Sequence, residues 1–117
     1  RINFEAGQGI FTQGDVSNAV YVLLDGTVDI IREAGNGKRV RLAQLGGNAV
    51  FGETGVLCDQ RRTATVEAAT PVTVLEIDRH TFYEVVRDVP QLALAIAREL
   101  ALRLEHMNQQ FAESSKD

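Results

Sequence analysis

Eight short apolar runs, each rich in β-branched residues and each closed by a turn signal, constrain this chain more than any other feature. They are RINFE, GIFT, AVYVLLD, TVDIIRE, KRVRLAQL, NAVFG, TATVEA and VTVLEI. Val, Ile, Thr and the aromatics suit a pleated, half-buried surface, and Gly, Asn and Asp supply the backbone conformations that reverse a chain. The punctuation falls at Gly14-Asp15, Asp25-Gly26, Asn36-Gly37 and Gly46-Gly47-Asn48. The TVDII and RVRL runs alternate in polarity around Asn36-Gly37, the pattern of a half-buried antiparallel hairpin. Short strands at this spacing predict a mainly β fold, an antiparallel eight-stranded jelly-roll barrel (double-stranded β-helix), followed by C-terminal helices.

The period changes after Asp78. That residue is placed to cap a helix over RHTFYEVVR, with Phe82, Val85 and Val86 on its inner face. Asp88 and Pro90 mark the start of a second helix, predicted to run to about Phe111. Its apolar stripe is read as Ala93, Ala97, Leu100, Leu104, Met107 and Phe111, close to a heptad seam. A 117-residue chain without internal repeats is expected to form one domain over 1–113. Within it the barrel takes 1–78 and the helices 79–113, and 114–117 form a disordered polar tail.

Charge and composition remove several functions. Sixteen acidic against twelve basic residues give a net charge of −4, so this segment lacks the basic face that nucleic acid requires, and any anion must be held by a few placed groups. No apolar run approaches the ~18 residues of a membrane span, so no membrane contact is expected from this segment. Cys58 is the single cysteine and fits a reducing compartment; cytoplasmic placement is expected, on the cytosolic face if the chain belongs to a membrane protein. His80 and His106 fall on predicted helices without metal-ligand spacing, so neither a metal nor a cofactor is expected. Cys58 has no histidine signalled beside it, and no catalytic residue is assigned: the chain is not expected to be an enzyme.

One stretch does not read as ordinary β structure. Phe51-Gly52-Glu53 ends a strand, and ETGVL is long enough for one helical turn. The first amides of that turn lack helical partners, and Gly52 and Gly55 would let a ligand come close, an arrangement suited to an anion. Arg62 adds a planar fork that matches a phosphate. Glu53 would repel a phosphate and needs a hydroxyl donor instead. A ribose 2′-hydroxyl beside a phosphate supplies both partners, and the chemistry points to a small nucleotide.

At these residues the chain resembles the cyclic nucleotide-binding domain family, over nearly its whole length. GQGIFTQGDVSNAVYVLLDGTVDII is similar to the family's opening strands, and FGETGVL followed by Arg62-Thr63-Ala64-Thr65 to its phosphate-binding cassette. The resemblance implies a ligand, cAMP or cGMP, held at Gly52, Glu53, Thr54, Gly55, Arg62, Thr63 and Ala64. Glu53 takes the ribose 2′-hydroxyl and Arg62 the cyclic phosphate, while amides near Thr54 and Gly55 complete the cradle. In kinase regulatory subunits an aspartate three residues after the strand-turn glycine buttresses that arginine; Asp29, three after Gly26, stands in that place. The terminal helix resembles that of the family's bacterial activators, which implies base contacts from Leu104, Met107 and Asn108.

These readings lead to a regulatory sensor that binds a cyclic nucleotide and signals through movement of its C-terminal helices to an output domain outside this sequence. cAMP is favoured over cGMP on the likeness of the terminal helix, although Thr63 stands where cGMP-favouring members place a base-contacting threonine. The alternative is a non-binding barrel that serves as an interaction or structural module. The helical stripe could also serve a partner helix in a homodimer.

Overall fold

The computed structural model describes the backbone of residues 1–114 and the side chains of residues 1–105. All eight runs form strands: β1 (Ile2–Phe4), β2 (Gly9–Phe11), β3 (Ala19–Asp25), β4 (Thr27–Glu33), β5 (Arg39–Gly46), β6 (Val50–Phe51), β7 (Thr65–Ala68) and β8 (Val72–Asp78). One helical turn, α1 (Glu53–Leu57), interrupts them, and α2 (Arg79–Asp88) and α3 (Pro90–Ser114) follow. The chain is thus mainly β, with antiparallel strands in jelly-roll order and helices at the C-terminal end. The strands form two four-stranded sheets, β1-β8-β3-β6 and β2-β7-β4-β5, and do not close into the continuous barrel that the sequence predicts. Strands of two or three residues, such as β1, β2 and β6, offer too few ladder positions to stitch the sheets together.

The core lies between the sheets. Alternate residues of β3 (Ala19, Tyr21, Leu23) and of β8 (Val72, Val74) meet Val28 of β4, Phe51 of β6, and Val66 and Ala68 of β7. Strand alternation sends every second side chain to this one face, so a period-2 sequence specifies which residues are buried. Gly26 turns β3 into β4 with φ of 90°, and a Cβ there would stand 2.3 Å from the Pro71 carbonyl oxygen. Both the positive φ and the contact require glycine at this turn. The β4–β5 hairpin closes over Asn36-Gly37, where the Gly37 amide donates to the Ala34 carbonyl.

Contacts divide the chain into two units, Arg1–Phe82 and Tyr83–Asp117. In the first, Asp78 caps α2 as the sequence predicts: its Oδ1 accepts the Thr81 amide at 2.8 Å. Thr81 lowers the pKa of the Asp78 carboxyl below the usual value of 3.8, because the hydrogen bond favours the charged form. In the second, α3 buries Ile96, with Leu92, Ala93, Glu99, Leu100 and Arg103 half-buried. The predicted stripe is therefore corrected: Ala97 is exposed, and Leu104 is 59% exposed. Covering Ile96 removes more apolar area from water than covering Ala97, and the buried face is centred accordingly. Arg103 and Glu99 also pair at 3.1 Å, one turn apart on that half-buried side. Among the described residues no helix is long and apolar enough to cross a membrane. α3 reaches Ser114, one residue past the expected boundary, and the remainder of the predicted tail lies outside the described residues.

Candidate functional site

The site is assembled around Arg62, between α1 and β7 in sequence. Its backbone is clamped on both sides by the Gly14-Asp15 turn. The Arg62 amide donates to the Asp15 carbonyl at 2.8 Å, and the Gly14 amide donates to the Arg62 carbonyl at 2.9 Å. The turn is braced in its own right, since the Thr12 amide donates to Asp15 Oδ2 at 3.0 Å and the Asp15 amide to the Thr12 carbonyl at 3.0 Å. Neighbouring Arg61 adds a bond from Nη1 to the Gly14 carbonyl at 3.1 Å.

The Arg62 side chain runs inward and is only 5% exposed. Nη1 donates to the Gly52 carbonyl and Nη2 to the Ala19 carbonyl, each at 2.8 Å. The guanidinium lies 4.0 Å above the Phe11 ring and 5.7 Å from that of Tyr21. Tyr21 in turn stacks on Phe51, with ring centroids 5.4 Å apart. Three aromatics from three strands thus form a floor on which the cation rests. Burial lowers the pKa of this guanidinium, and the nearby Tyr21, Asp15, Glu53 and Glu76 oppose the shift. Nε is buried with no hydrogen bond, so part of the fork is desolvated and uncommitted.

Glu53 opens α1 and is 2% exposed, with Gly52 before it in the left-handed region at φ 81°. The carboxylate acts electrostatically on Arg62, so a buried anion and a buried cation are neighbours here. Gly52 and Gly55 do permit a close approach, but on their Cβ side the protein itself approaches. A Cβ on Gly52 would lie 2.8 Å from Arg62 Nη1, and one on Gly55 would lie 2.0 Å from Ser17 Oγ. The expectation that these two glycines make room for a ligand is corrected on that side. Thr54 and Thr63 are exposed, whereas Ala64 is buried at the bend that leads into β7.

Gly52 and Glu53 are thus brought to Arg62, while Gly55 packs on Ser17 and Ala64 follows Arg62 in the chain. Asp29 is not among them. Its Oδ1 accepts from Gln44 Nε2 at 3.0 Å and lies 3.7 Å from Arg41 Nη1, so the predicted buttress of Arg62 is corrected. The pleat gives the reason: Val28 faces the core, so the next residue on β4 faces away, opposite Gln44 and Glu67 in register. The carbonyls of Gly52 and Ala19 and the Phe11 ring take the role assigned to Asp29. Leu104 lies in the Tyr83–Asp117 unit with its side chain exposed, and the side chains of Met107 and Asn108 fall outside the described residues. No group of His, Cys, Asp and Glu among the described residues could hold a metal.

The sequence reading missed Phe11, Tyr21, Ser17 and the clamping role of Gly14-Asp15. Alternation along β3 signals that Tyr21 is inward-facing, but nothing local reveals that a residue 41 positions later lies on it. Tyr21 also donates its hydroxyl to Glu76 at 2.9 Å. Burial, with that carboxylate beside it, raises the tyrosine pKa to about 12.

Comparison with known proteins shows the family and the fold. A family model described as the cyclic nucleotide-binding domain matches residues 1–88. The chain is 28% identical over 112 residues to the CRP-like cAMP-activated global transcriptional regulator of Mycobacterium tuberculosis, covering 96% of this chain and 50% of that protein. It is 37% identical over 99 residues to glutaminase 2 of Bradyrhizobium diazoefficiens, covering 85% of this chain and 15% of the glutaminase. Among solved structures, the catabolite activator protein of Thermus thermophilus superposes with a TM-score of 0.82 at 30% identity, covering 97% of this chain and 54% of that one. The chain therefore spans about half the length, or less, of these relatives.

Proposed function

Because the chain belongs to the cyclic nucleotide-binding domain family, we propose that it is a regulatory sensor domain in which Arg62 receives the cyclic phosphate and Glu53 the ribose 2′-hydroxyl. The observation that carries this reading is the buried, unbonded Nε of Arg62, on a side chain already held by two carbonyls and an aromatic floor. A desolvated guanidinium with an uncommitted donor is an unusually strong partner for an anion, because it has little hydration left to lose. The remaining N–H groups of Arg62 bind phosphate oxygens, Glu53 accepts the sugar hydroxyl, and amides at Thr54 and Gly55 complete the cradle. Thr63 and Ala64 border the same pocket.

cAMP is the proposed ligand in preference to cGMP. The mycobacterial relative is described as cAMP-activated, and it aligns over almost the whole chain. Ligand binding shifts the population of positions available to α2 and α3, and an output domain outside this sequence, in the cytoplasm, reads that shift. Leu94, Leu102 and Leu104 on α3 are exposed, which supports a homodimer through this helix. The non-binding alternative gains nothing from the site, since an interaction module does not need a buried Arg62 and Glu53.

Calorimetric titration with cAMP, cGMP and 2′-deoxy-cAMP tests the proposal. cAMP should bind more tightly than cGMP, and the deoxy sugar should bind clearly worse than the ribose form. Glu53→Ala should lose most of that sugar discrimination. A chain that binds neither cyclic nucleotide is an interaction module instead.

A further inference from the structure

Ser17 lies in the loop between β2 and β3, two residues after the Gly14-Asp15 clamp and two before Ala19, whose carbonyl holds Arg62. It is 5% exposed, and its Oγ is buried with no hydrogen bond. It stands directly against the cassette helix: a Cβ on Gly55 would meet Ser17 Oγ at 2.0 Å, Ser17 Cβ at 2.7 Å and the Gln60 carbonyl oxygen at 2.9 Å. Cassette backbone therefore lies beside the hydroxyl, and there the Gln60 amide already donates to the Gly55 carbonyl at 2.8 Å.

A buried hydroxyl without a partner is destabilising, and nearly all such groups in folded proteins find one. Alanine would keep the Cβ contact with the cassette and carry no unsatisfied polar atom. A second arrangement of the cassette can satisfy the hydroxyl. Carbonyl oxygens have two lone pairs, so Gly55 and Gln60 can each accept another hydrogen bond.

We propose that Ser17 is a positioning residue for cyclic-nucleotide binding: its hydroxyl, unbonded in the present arrangement, donates to the cassette backbone at Gly55 or Gln60 when the cassette seats on nucleotide. The inference rests on the cyclic-nucleotide reading of the site and extends it to the loop beneath. The bond ties the 12–18 loop, which clamps the Arg62 backbone, to the helix that begins with Glu53. Both ligand-binding groups are then set by one contact.

The two arrangements give Ser17→Ala effects of opposite sign. Without nucleotide the substitution removes an unsatisfied group, so the thermal midpoint should rise. With nucleotide it removes a hydrogen bond, so cAMP affinity should fall roughly tenfold, the ratio that ~1.4 kcal/mol produces. A residue that only packs moves stability and affinity in the same direction. The test is thermal unfolding of wild type and Ser17→Ala without nucleotide, followed by calorimetric titration of both with cAMP. A higher midpoint together with weaker binding supports the proposal. Unchanged affinity in Ser17→Ala overturns it while leaving the site reading intact, and so does joint loss of stability and affinity. Wild type that binds no cyclic nucleotide overturns the site reading and this inference with it.

Discussion

Replacing Gly52 by alanine should do more damage than its small size suggests. The residue sits at φ 81°, where an L side chain costs about 1–2 kcal/mol. The new methyl would also stand 2.8 Å from Arg62 Nη1 and 3.2 Å from Phe11 Cε2. Nη1 cannot stay at 2.8 Å from the Gly52 carbonyl without that clash, and a hydrogen bond from a charged donor contributes about 1.5–3 kcal/mol. The two terms sum to about 2.5–5 kcal/mol, a large part of the ~5–15 kcal/mol that holds such a domain folded. Gly37→Ala supplies the control: φ is 83°, but no heavy atom lies within 4 Å of the added carbon, so only the conformational term remains. Urea unfolding of wild type and both variants, at matched slopes, should place Gly52→Ala well below Gly37→Ala. cAMP affinity should fall in Gly52→Ala and stay at the wild-type value in Gly37→Ala. Equal stabilities and affinities for the two variants would refute the claim that Gly52 exists to admit the Arg62 guanidinium.

Two further outcomes follow from side-chain pairings outside the site. Asp29→Ala should leave cAMP affinity unchanged in calorimetry, because its carboxylate serves Gln44 and Arg41; a loss of binding would restore it as a buttress of Arg62. Asp78 has a folded pKa below its usual 3.8, so its contribution is complete above that value and is lost as pH falls through the lower folded value. The stability difference between wild type and Asp78→Ala should therefore shrink between pH 5 and strongly acidic solution, and denaturation curves showing a constant difference would contradict the cap.

Strand positions were legible because period-2 alternation and turn residues act locally. AVYVLLD and TVDIIRE match β3 and β4 residue for residue. The cassette was legible for a different reason, since Gly52-Glu53 and Arg62 form a dense and unusual group in a strand-rich chain. What escaped depends on pairing between distant segments. Asp29 faces away from the core by the same alternation that buries Val28, but its partner Gln44 is set by a register with an irregularity between Ile30 and Ile31. The Phe11–Tyr21–Phe51 floor joins three strands far apart in sequence. On α3 the heptad count favoured Ala97, but the larger apolar area of Ile96 decides which face is covered.

The central claim is that Arg62 binds phosphate through its fork, and substitution at that position tests it most directly. Wild type, Arg62→Lys and Arg62→Ala, each shown to be folded by circular dichroism, should be titrated calorimetrically with cAMP. Two charge-assisted bonds at about 1.5–3 kcal/mol each predict that Arg62→Ala weakens binding by about a hundredfold or more. Arg62→Lys keeps the charge but loses the planar fork and its seat on Phe11, so it should also bind poorly. Equal affinity in all three proteins would contradict the account.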